Sequence, residues 1–162
     1  MGKSALVLKF VSNIFSAEHD STVEDHYRRL VIIDDETVVL HIIDSSGIDE
    51  AFSGQFLESY VKQCHGFLLV YAINSLLSFE SLPEWWKPIL EARRRQELDM
   101  DTLPLLLVGN KYDLEDERQV SRDQGERLAR EWGCSFFEAS AKTVDEVFLD
   151  IAHQIYRKAH SE

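Results

Sequence analysis

Three short runs of almost unbroken apolar residues constrain the fold of this chain more than any other feature of its sequence. They are TVVLHIID (37–44), GFLLVYAI (66–73) and LPLLLVGN (103–110). Short, continuous apolar runs are typical of strands that are covered on both faces. Because segments with helical periodicity separate these runs, the sequence predicts an α/β fold, a three-layer sandwich around a mostly parallel sheet.

Two further segments have strand-like patterns. HYRRLVIID (26–34) is predicted to form a tight hairpin with the run at 37–44, and this hairpin adds one antiparallel strand at the edge of the sheet. CSFFEAS (134–140) is predicted to be the final strand.

Helical patterns fill most of the remaining chain. SALVLKFVSNIF (4–15) is predicted to be a helix that opens directly from Gly-Lys-Ser. Further helices are predicted over 55–64, from a starting point between Ser78 and Ser81, after Ser121 and after Thr143. The last two begin at capping boxes, Ser121-x-x-Gln124 and Thr143-x-x-Glu146. The basic run Arg93-Arg94-Arg95 is interpreted as the solvated end of a helix, and we expect a single domain over residues 1–162.

The charge and composition exclude several classes of partner. The 162 residues include 17 Lys and Arg against 29 Asp and Glu, which gives a formal net charge of −12. Since nucleic acids and anionic membranes attract basic surfaces, we expect neither as a nonspecific partner. The sequence contains no membrane-spanning run, signal peptide or lipidation motif, so we expect a cytoplasmic protein. Cys64 and Cys134 are interpreted as reduced, buried thiols, with a disulfide as the alternative.

Polar residues that follow the predicted strands indicate a ligand site, because α/β sheets bind ligands at the carboxyl ends of their strands. Asn110-Lys111-Tyr112-Asp113 follows one of them. The Asp113 carboxylate can accept hydrogen bonds from the N1–H and the exocyclic amine of guanine, a pair of donors that adenine lacks. Ser140-Ala141-Lys142 follows the final strand, and its backbone amides can meet the guanine carbonyl oxygen.

A third such segment, Asp44-Ser45-Ser46-Gly47, follows the strand at 37–43. A carboxylate at the end of a strand can hold the water shell of Mg²⁺, and a glycine amide can approach a terminal phosphate.

The chain opens MGKSALVLKF. Gly-Lys-Ser before an apolar helical run is the second half of a phosphate-binding loop, whose first glycine lies five residues earlier, after a buried strand. Since only Met1 precedes Gly2, we expect the first half of the loop and the first central strand to be missing.

With these motifs in this order, the chain resembles the Ras-like small GTPases from Gly2 to about Ala159. The segments that carry the resemblance are GKSALVLKFVSNIF, HDSTVEDHYRR, TVVLHIIDSSG, GFLLVYAI, SFE, NKYDL and SAK. The resemblance implies a P-loop GTPase-type fold, GTP and GDP as ligands, Mg²⁺ as the metal, and switching loops that bind effector proteins. It also implies an exchange factor and a GTPase-activating protein as partners, and a monomer in the cytoplasm or at the cytoplasmic face of the plasma membrane. Membrane attachment is expected only if a longer product carries an anchor.

The resemblance also assigns roles to individual residues. Lys3 would meet the β- and γ-phosphates, Phe15 would pack against the guanine, and Thr22 would reach Mg²⁺ from the first switch and effector surface, residues 16–25. The alternatives are a core anchor for Phe15 and a solvated loop residue for Thr22. The implied nucleotide-binding residues are Gly2, Lys3, Ser4, Ala5, Phe15, Thr22, Gly47, Asn110, Lys111, Asp113, Ser140, Ala141 and Lys142. The implied Mg²⁺ ligands are Ser4, Thr22 and Asp44.

One departure from the family concerns catalysis. Ile48 follows Gly47, where the family has a glutamine that orients the attacking water. Since isoleucine has no donor or acceptor, no clear catalytic residue remains and we expect slow intrinsic hydrolysis.

The other departure is the expected lack of the first central strand and of the first half of the phosphate-binding loop. The strands at 37–43 and 66–73 would each present an unpaired edge, so we expect a sheet split into a hairpin half and a three-strand half. Loss of two or three charge-assisted hydrogen bonds of ~1.5–3 kcal/mol would weaken nucleotide binding by roughly two to six orders of magnitude. Three hypotheses therefore stand: a GTPase switch, a pseudoGTPase that acts as an interaction module through residues 16–25, and a truncated product without function.

Overall fold

The computed structural model of the chain describes residues 7–12, 25–44, 58, 61–96, 98, 103–110, 115–139 and 144–160. Its strands are β1 (Val7–Ser12), β2 (Asp25–Ile33), β3 (Glu36–Asp44), β4 (Gly66–Ala72), β5 (Leu105–Asn110) and β6 (Ser135–Ala139). Its helices are α1 (Leu76–Glu80), α2 (Leu82–Arg95), α3 (Arg122–Trp132) and α4 (Val144–Ala159), with a 3₁₀ turn at Glu115–Glu117 and a helical turn at 61–63.

The six described strands form one sheet in the order β2-β3-β1-β4-β5-β6. β4, β5 and β6 pair in parallel, and β2 and β3 form the predicted antiparallel hairpin. Asp34 and Asp35 join the hairpin with φ angles of 49° and 65°. A two-residue turn of this type requires positive φ at both positions, and aspartate tolerates that conformation better than most residues. The α/β class and the parallel half of the sheet are confirmed.

The position of β1 in the sheet corrects two predictions. Residues 7–12, predicted to be helical, form a strand that lies between β3 and β4 and is antiparallel to both. The sheet is therefore continuous rather than split, the central position is filled, and parallel pairing is confined to β4–β6. Pairing with two neighbours satisfies ladder groups that a helix at 7–12 would leave exposed on β3 and β4. This nonlocal gain outweighs the helical periodicity of the segment, which Val7 and Val11 already weaken.

Helices cover both faces of the sheet, as the three-layer prediction requires. On one face, Phe67, Leu69 and Tyr71 of β4 pack with residues of α2 and α3. On the other face, Leu68 of the same strand joins a cluster with the β2–β3 hairpin and α4. This alternation explains why β4 reads as an unbroken apolar run, since both of its faces are buried.

The helix predictions are largely confirmed. α3 begins at its capping box, where the Ser121 hydroxyl accepts the Gln124 amide at 3.2 Å and the Gln124 side chain accepts the Ser121 amide at 2.9 Å. α4 begins at Val144, and its predicted apolar stripe (Val147, Phe148, Ile151 and Ile155) is buried. Thr143 lies outside the described residues.

One side-chain interpretation is wrong. Arg94 and Arg95 are exposed at the end of α2, as predicted, but Arg93 is buried, with 5% of its surface accessible. On a helix that packs against the sheet, neighbouring positions point in directions about 100° apart, so one residue of a basic run faces inward. Of the two cysteines, Cys64 is buried and Cys134 is half-buried. Burial raises the pKa of the Cys134 thiol to about 11, which keeps it protonated at neutral pH.

Candidate functional site

One edge of the sheet, which we call the carboxyl edge, gathers the ends of four strands. Ala72 of β4 pairs with Asn110 of β5, which pairs with Ala139 of β6, so the three parallel strands end side by side. β3 runs in the same direction as β4, because both are antiparallel to β1. Its last residue, Asp44, therefore lies at the same edge.

Two strands also begin at this edge. The first residue of β1, Val7, pairs with Val70 near the end of β4, and the first residue of β2, Asp25, pairs with Asp44. Six chain segments thus enter or leave the sheet at the carboxyl edge.

The structure describes two of the predicted site residues, Asp44 and Asn110. Asn110 is half-buried, and its backbone carbonyl accepts the Ile73 amide at 3.2 Å. The other predicted site residues lie outside the described residues: Gly2, Lys3, Ser4, Ala5, Phe15, Thr22, Gly47, Ile48, Lys111, Asp113, Ser140, Ala141 and Lys142. The described strand ends that lie nearest to them in sequence indicate where most of these segments attach, and they are Val7, Asp25, Asp44, Asn110 and Ala139.

A serine in the predicted SFE motif supports the end of β4. Ser78 is 1% exposed. Its hydroxyl accepts the Ala72 amide at 3.0 Å and donates to the Ser75 carbonyl at 2.8 Å. The Ser75 side chain in turn caps α1 by accepting the Ser78 amide at 3.2 Å. These bonds hold the chain in a fixed turn as it leaves the carboxyl edge.

The segment after Asn110 returns to the residues that follow β4. The amides of Gln119 and Val120 both donate to the Ile73 carbonyl, at 2.8 and 3.0 Å. The Gln119 side-chain oxygen also accepts the Leu76 amide at 2.9 Å. The chain is therefore joined to the end of β4 at Asn110 and again at Gln119 and Val120.

A buried ion pair connects this junction to β6. The Arg118 guanidinium binds both oxygens of Glu138, at 2.7 and 3.1 Å, and also donates to the Val120 carbonyl at 2.9 Å. Only 2% of the Glu138 side chain and 18% of the Arg118 side chain are exposed. The pair therefore fixes the segment that follows the 3₁₀ turn relative to the end of β6. Sequence reasoning missed it, although a carboxylate inside an apolar strand signals a need for a cation.

A tyrosine hydroxyl is buried behind the carboxyl edge. Tyr71 is fully buried, and within the described part of the chain its hydroxyl has no hydrogen-bond partner. Two glycines make room for it, because a Cβ at Gly109 or Gly125 would lie 2.8 or 2.5 Å from the hydroxyl oxygen. Burial, reinforced by the nearby Glu138 charge, raises the pKa of Tyr71, so the phenol stays neutral near pH 7.

The described residues hold no preformed metal cluster: no three His, Cys, Asp or Glu side chains among them come close enough to bind an ion. The oxygen donors predicted for Mg²⁺, two hydroxyls and one carboxylate, fit the preference of this hard cation for oxygen. Among the helices that the structure describes, none has the length and apolar character needed to cross a membrane.

The family model described as "Ras family" matches residues 1–157 of the 162-residue chain.

Proposed function

The chain belongs to the Ras family, and we therefore propose that it is a small GTPase that binds guanine nucleotides with Mg²⁺ at the carboxyl edge and acts as a switch. The observation that carries the proposal is the convergence of motif-bearing segments on this edge. Val7 lies three residues after Ser4, and Asp25 three residues after Thr22. Three residues span at most about 11 Å, so both hydroxyl-bearing segments attach close to Asp44.

Recognition of the base is proposed to come from the segments around Asn110 and Ala139. The Asp113 carboxylate would accept the two guanine donors, and the amides of Ser140–Lys142 would meet the carbonyl oxygen. The Arg118–Glu138 pair supports this proposal, because it holds the two segments together before any ligand binds. Preorganisation of this kind reduces the entropy cost of binding.

The phosphates and the metal are proposed to lie at the other end of the carboxyl edge. Lys3 would contact the β- and γ-phosphates, and Ser4, Thr22 and Asp44 would hold Mg²⁺. When bound, the ion neutralises phosphate charge as it develops during phosphoryl transfer. Ile48 can neither orient water nor donate a hydrogen bond, so intrinsic hydrolysis is proposed to be slow, with an activating protein required for rapid turnover.

The proposed role of Phe15, packing against the guanine, depends on residues 13–24, which lie outside the described residues. β1 ends at Ser12, which pairs with His41. The neighbouring pair, Val11 and Gly66, lies at the start of β4. Ser12 therefore lies at the opposite edge of the sheet from Asn110.

Titration with a fluorescent guanine nucleotide tests the proposal, with and without Mg²⁺ and with an adenine analogue as the control ligand. We expect Mg²⁺-dependent, guanine-selective binding. Asp113→Asn should weaken it by about 10²–10⁴-fold, because two charge-assisted hydrogen bonds of ~1.5–3 kcal/mol are lost. Asp116→Asn is the matched control: Asp116 is exposed on the 3₁₀ turn nearby and should not affect binding. Equal affinity for guanine and adenine would contradict the proposal.

A second candidate is a pseudoGTPase that acts as an interaction module. It is favoured by Leu30 and Ile32, which are 69% and 70% exposed on β2, the outermost strand on its side of the described sheet. Proteins seldom expose two large apolar side chains side by side on an edge strand without a partner. A chain that unfolds cooperatively but binds no guanine nucleotide would support this candidate. Absence of a cooperative transition would instead favour a product that does not fold stably.

A further inference from the structure

A second candidate site lies at the edge of the sheet opposite to the carboxyl edge, where β5 begins. A cavity of about 270 Å³ opens there between α2, the C-terminal end of α3 and the residues that lead into β5. We call it the indole cavity, because Trp86 and Trp132 line it. Since Leu105 in its wall and Asn110 at the carboxyl edge are the two ends of β5, this site is separate from the proposed nucleotide site.

The two tryptophans give the indole cavity a continuous aromatic wall. The ring centroids of Trp86 and Trp132 lie 5.8 Å apart, and the ring planes are tilted by 34°. Trp86 is 6% exposed and Trp132 is half-buried, so packing holds both rings in place. Leu90, Leu103 and Leu105 add aliphatic surface to the wall. Among aromatic side chains, the face of an indole attracts cations most strongly.

The charge in the wall of the indole cavity is negative. Among the described lining residues, Glu131 alone carries a charge, and no cation of the described chain forms an ion pair with it. Arg127, one turn earlier on α3, is paired instead with Asp123 at 3.5 Å. Gly133, with a φ angle of 68°, ends α3 at the cavity wall. The C-terminal end of a helix adds about −0.5 of an elementary charge.

The residues that adjoin the cavity in sequence do not reverse this sign. Residues 99–102, which precede Leu103 and lie outside the described residues, are Asp-Met-Asp-Thr and include no basic side chain. Lys87, Arg94 and Arg130 are exposed on α2 and α3, and none of them lines the cavity. The indole cavity therefore combines aromatic surface with negative charge, and this combination favours an organic cation over an anion.

We propose that the indole cavity binds a small quaternary ammonium cation. A quaternary ammonium has no hydrogen-bond donors, so an apolar wall leaves none of its atoms unpaired. A primary ammonium brings three donors, and the described wall offers them a single carboxylate. Liquid water occupies about 30 Å³ per molecule, so the cavity has room for about nine waters, or a trimethylammonium group with a short chain. This site goes beyond the proposed GTPase function and does not depend on it.

NMR of the indole N–H signals of the full chain tests the proposal, with tetramethylammonium and choline as probes at constant ionic strength. We expect saturable shifts of the Trp86 and Trp132 signals. Trp85 lies on the same helix outside the described cavity wall, so its signal should shift much less. The neutral carbon analogue of choline, 3,3-dimethylbutanol, has the same shape and should bind about tenfold more weakly, because it lacks the charge.

Variants of the wall test the two groups that are proposed to attract the cation. Glu131→Gln should weaken choline binding about fivefold, the effect of losing a partly exposed ion pair. Glu91→Gln is the matched control, because Glu91 is exposed next to Leu90 but lies outside the wall, and it should change the affinity by less than about twofold. Trp132→Leu keeps apolar surface but removes an indole face, so it should weaken binding about tenfold. The comparison with the neutral analogue uses the unmodified chain, so it holds even if Trp132→Leu does not fold.

Three results would overturn the proposal. One is the absence of saturable shifts at Trp86 and Trp132. Another is equal affinity for choline and its neutral analogue, which would identify an apolar cavity without charge selectivity. The third is equal weakening by Glu131→Gln and Glu91→Gln, which would indicate general attraction of cations to an acidic chain.

The source of the quaternary ammonium is a separate question that a second arm answers, since the group occurs in free metabolites and in trimethylated lysine side chains. A peptide that contains trimethyl-lysine is compared with the same peptide without methylation. Preference for the methylated peptide identifies a modified protein as the source. Choline binding without such a preference identifies a free cation, and both results support a quaternary ammonium site.

Discussion

At the scale of single residues, the carboxyl edge contains buried polar groups that differ in whether they have hydrogen-bond partners. Ser78, Arg118 and Glu138 have their hydrogen bonds made, while the Tyr71 hydroxyl has no partner within the described residues. Partnered groups hold the motif segments in place, and an orphaned one costs stability. The two kinds of group predict mutational effects of opposite sign.

Tyr71→Phe should stabilise the chain by about 1–3 kcal/mol, because it removes a buried hydroxyl that lost its water on folding and gained no partner. Tyr156→Phe is the control, since the Tyr156 hydroxyl donates to Glu36 at 3.1 Å and its removal should destabilise. Urea unfolding of both variants measures the difference. A loss of stability in Tyr71→Phe would mean that the hydroxyl does have a partner, for instance a bound water.

Arg118→Gln should destabilise the chain by up to about 3 kcal/mol, because it removes the cation that binds both oxygens of the buried Glu138 carboxylate and leaves the exposed Arg122 guanidinium, at 3.9 Å, beside it. The comparison variant is Arg127→Gln. Arg127 pairs with Asp123 at 3.5 Å, but both side chains are 72% exposed, so no measurable change is expected. Thermal unfolding in parallel distinguishes the two, and equal effects would rule out a structural role specific to the buried pair.

At the scale of secondary-structure elements, α2 contains a proline in a position that weakens the helix. Pro83 lies in the first turn, where a missing amide costs nothing, but Pro88 lies inside the helix and cannot donate to the carbonyl of Glu84. Pro88→Ala should therefore stabilise the chain by up to about 3 kcal/mol. Pro83→Ala should instead cost up to about 1 kcal/mol, through the greater freedom of the unfolded chain. The measurement is the denaturant midpoint of unfolding for each variant. A higher midpoint for Pro88→Ala and a lower one for Pro83→Ala, with the dependence of the free energy of unfolding on denaturant unchanged, would confirm the prediction. Destabilisation by Pro88→Ala would contradict it.

The elements also show which features the sequence can predict. The Asp34-Asp35 turn and the Ser121 capping box depend on residues next to each other in the chain, so local chemistry predicts them. The strand at 7–12 depends on partners at 41–44 and 66–70, and its local pattern favours the wrong structure. Arg118 and Glu138 are twenty residues apart. The sequence predicts the motifs of the carboxyl edge, but not the contacts that align them.

At the scale of the whole molecule, β1 connects two different halves of the sheet. On one side lies the antiparallel hairpin and on the other the parallel strands β4–β6. β1 therefore determines whether the described sheet is one cooperative unit.

NMR tests the position of β1 directly. We expect short proton–proton distances between Phe10 and Ile43 of β3, and between Phe10 and Phe67 of β4. Amide protons of 7–12 should exchange slowly, since both neighbouring strands bond to them. Sequential amide contacts typical of a helix, without cross-strand contacts, would contradict this arrangement.

The position of β1 also has a consequence for synthesis on the ribosome. Its second partner strand is completed at Ala72, sixty residues after Ser12. At about 5–20 residues per second, the segment VLKFVS remains without that partner for roughly 3–12 s. During this interval an apolar strand that later lies in the middle of the sheet is available to other chains. Correct folding of this protein therefore depends on protection of β1 until β4 has been made, and slower translation between residues 12 and 72 should lower the yield of folded chain.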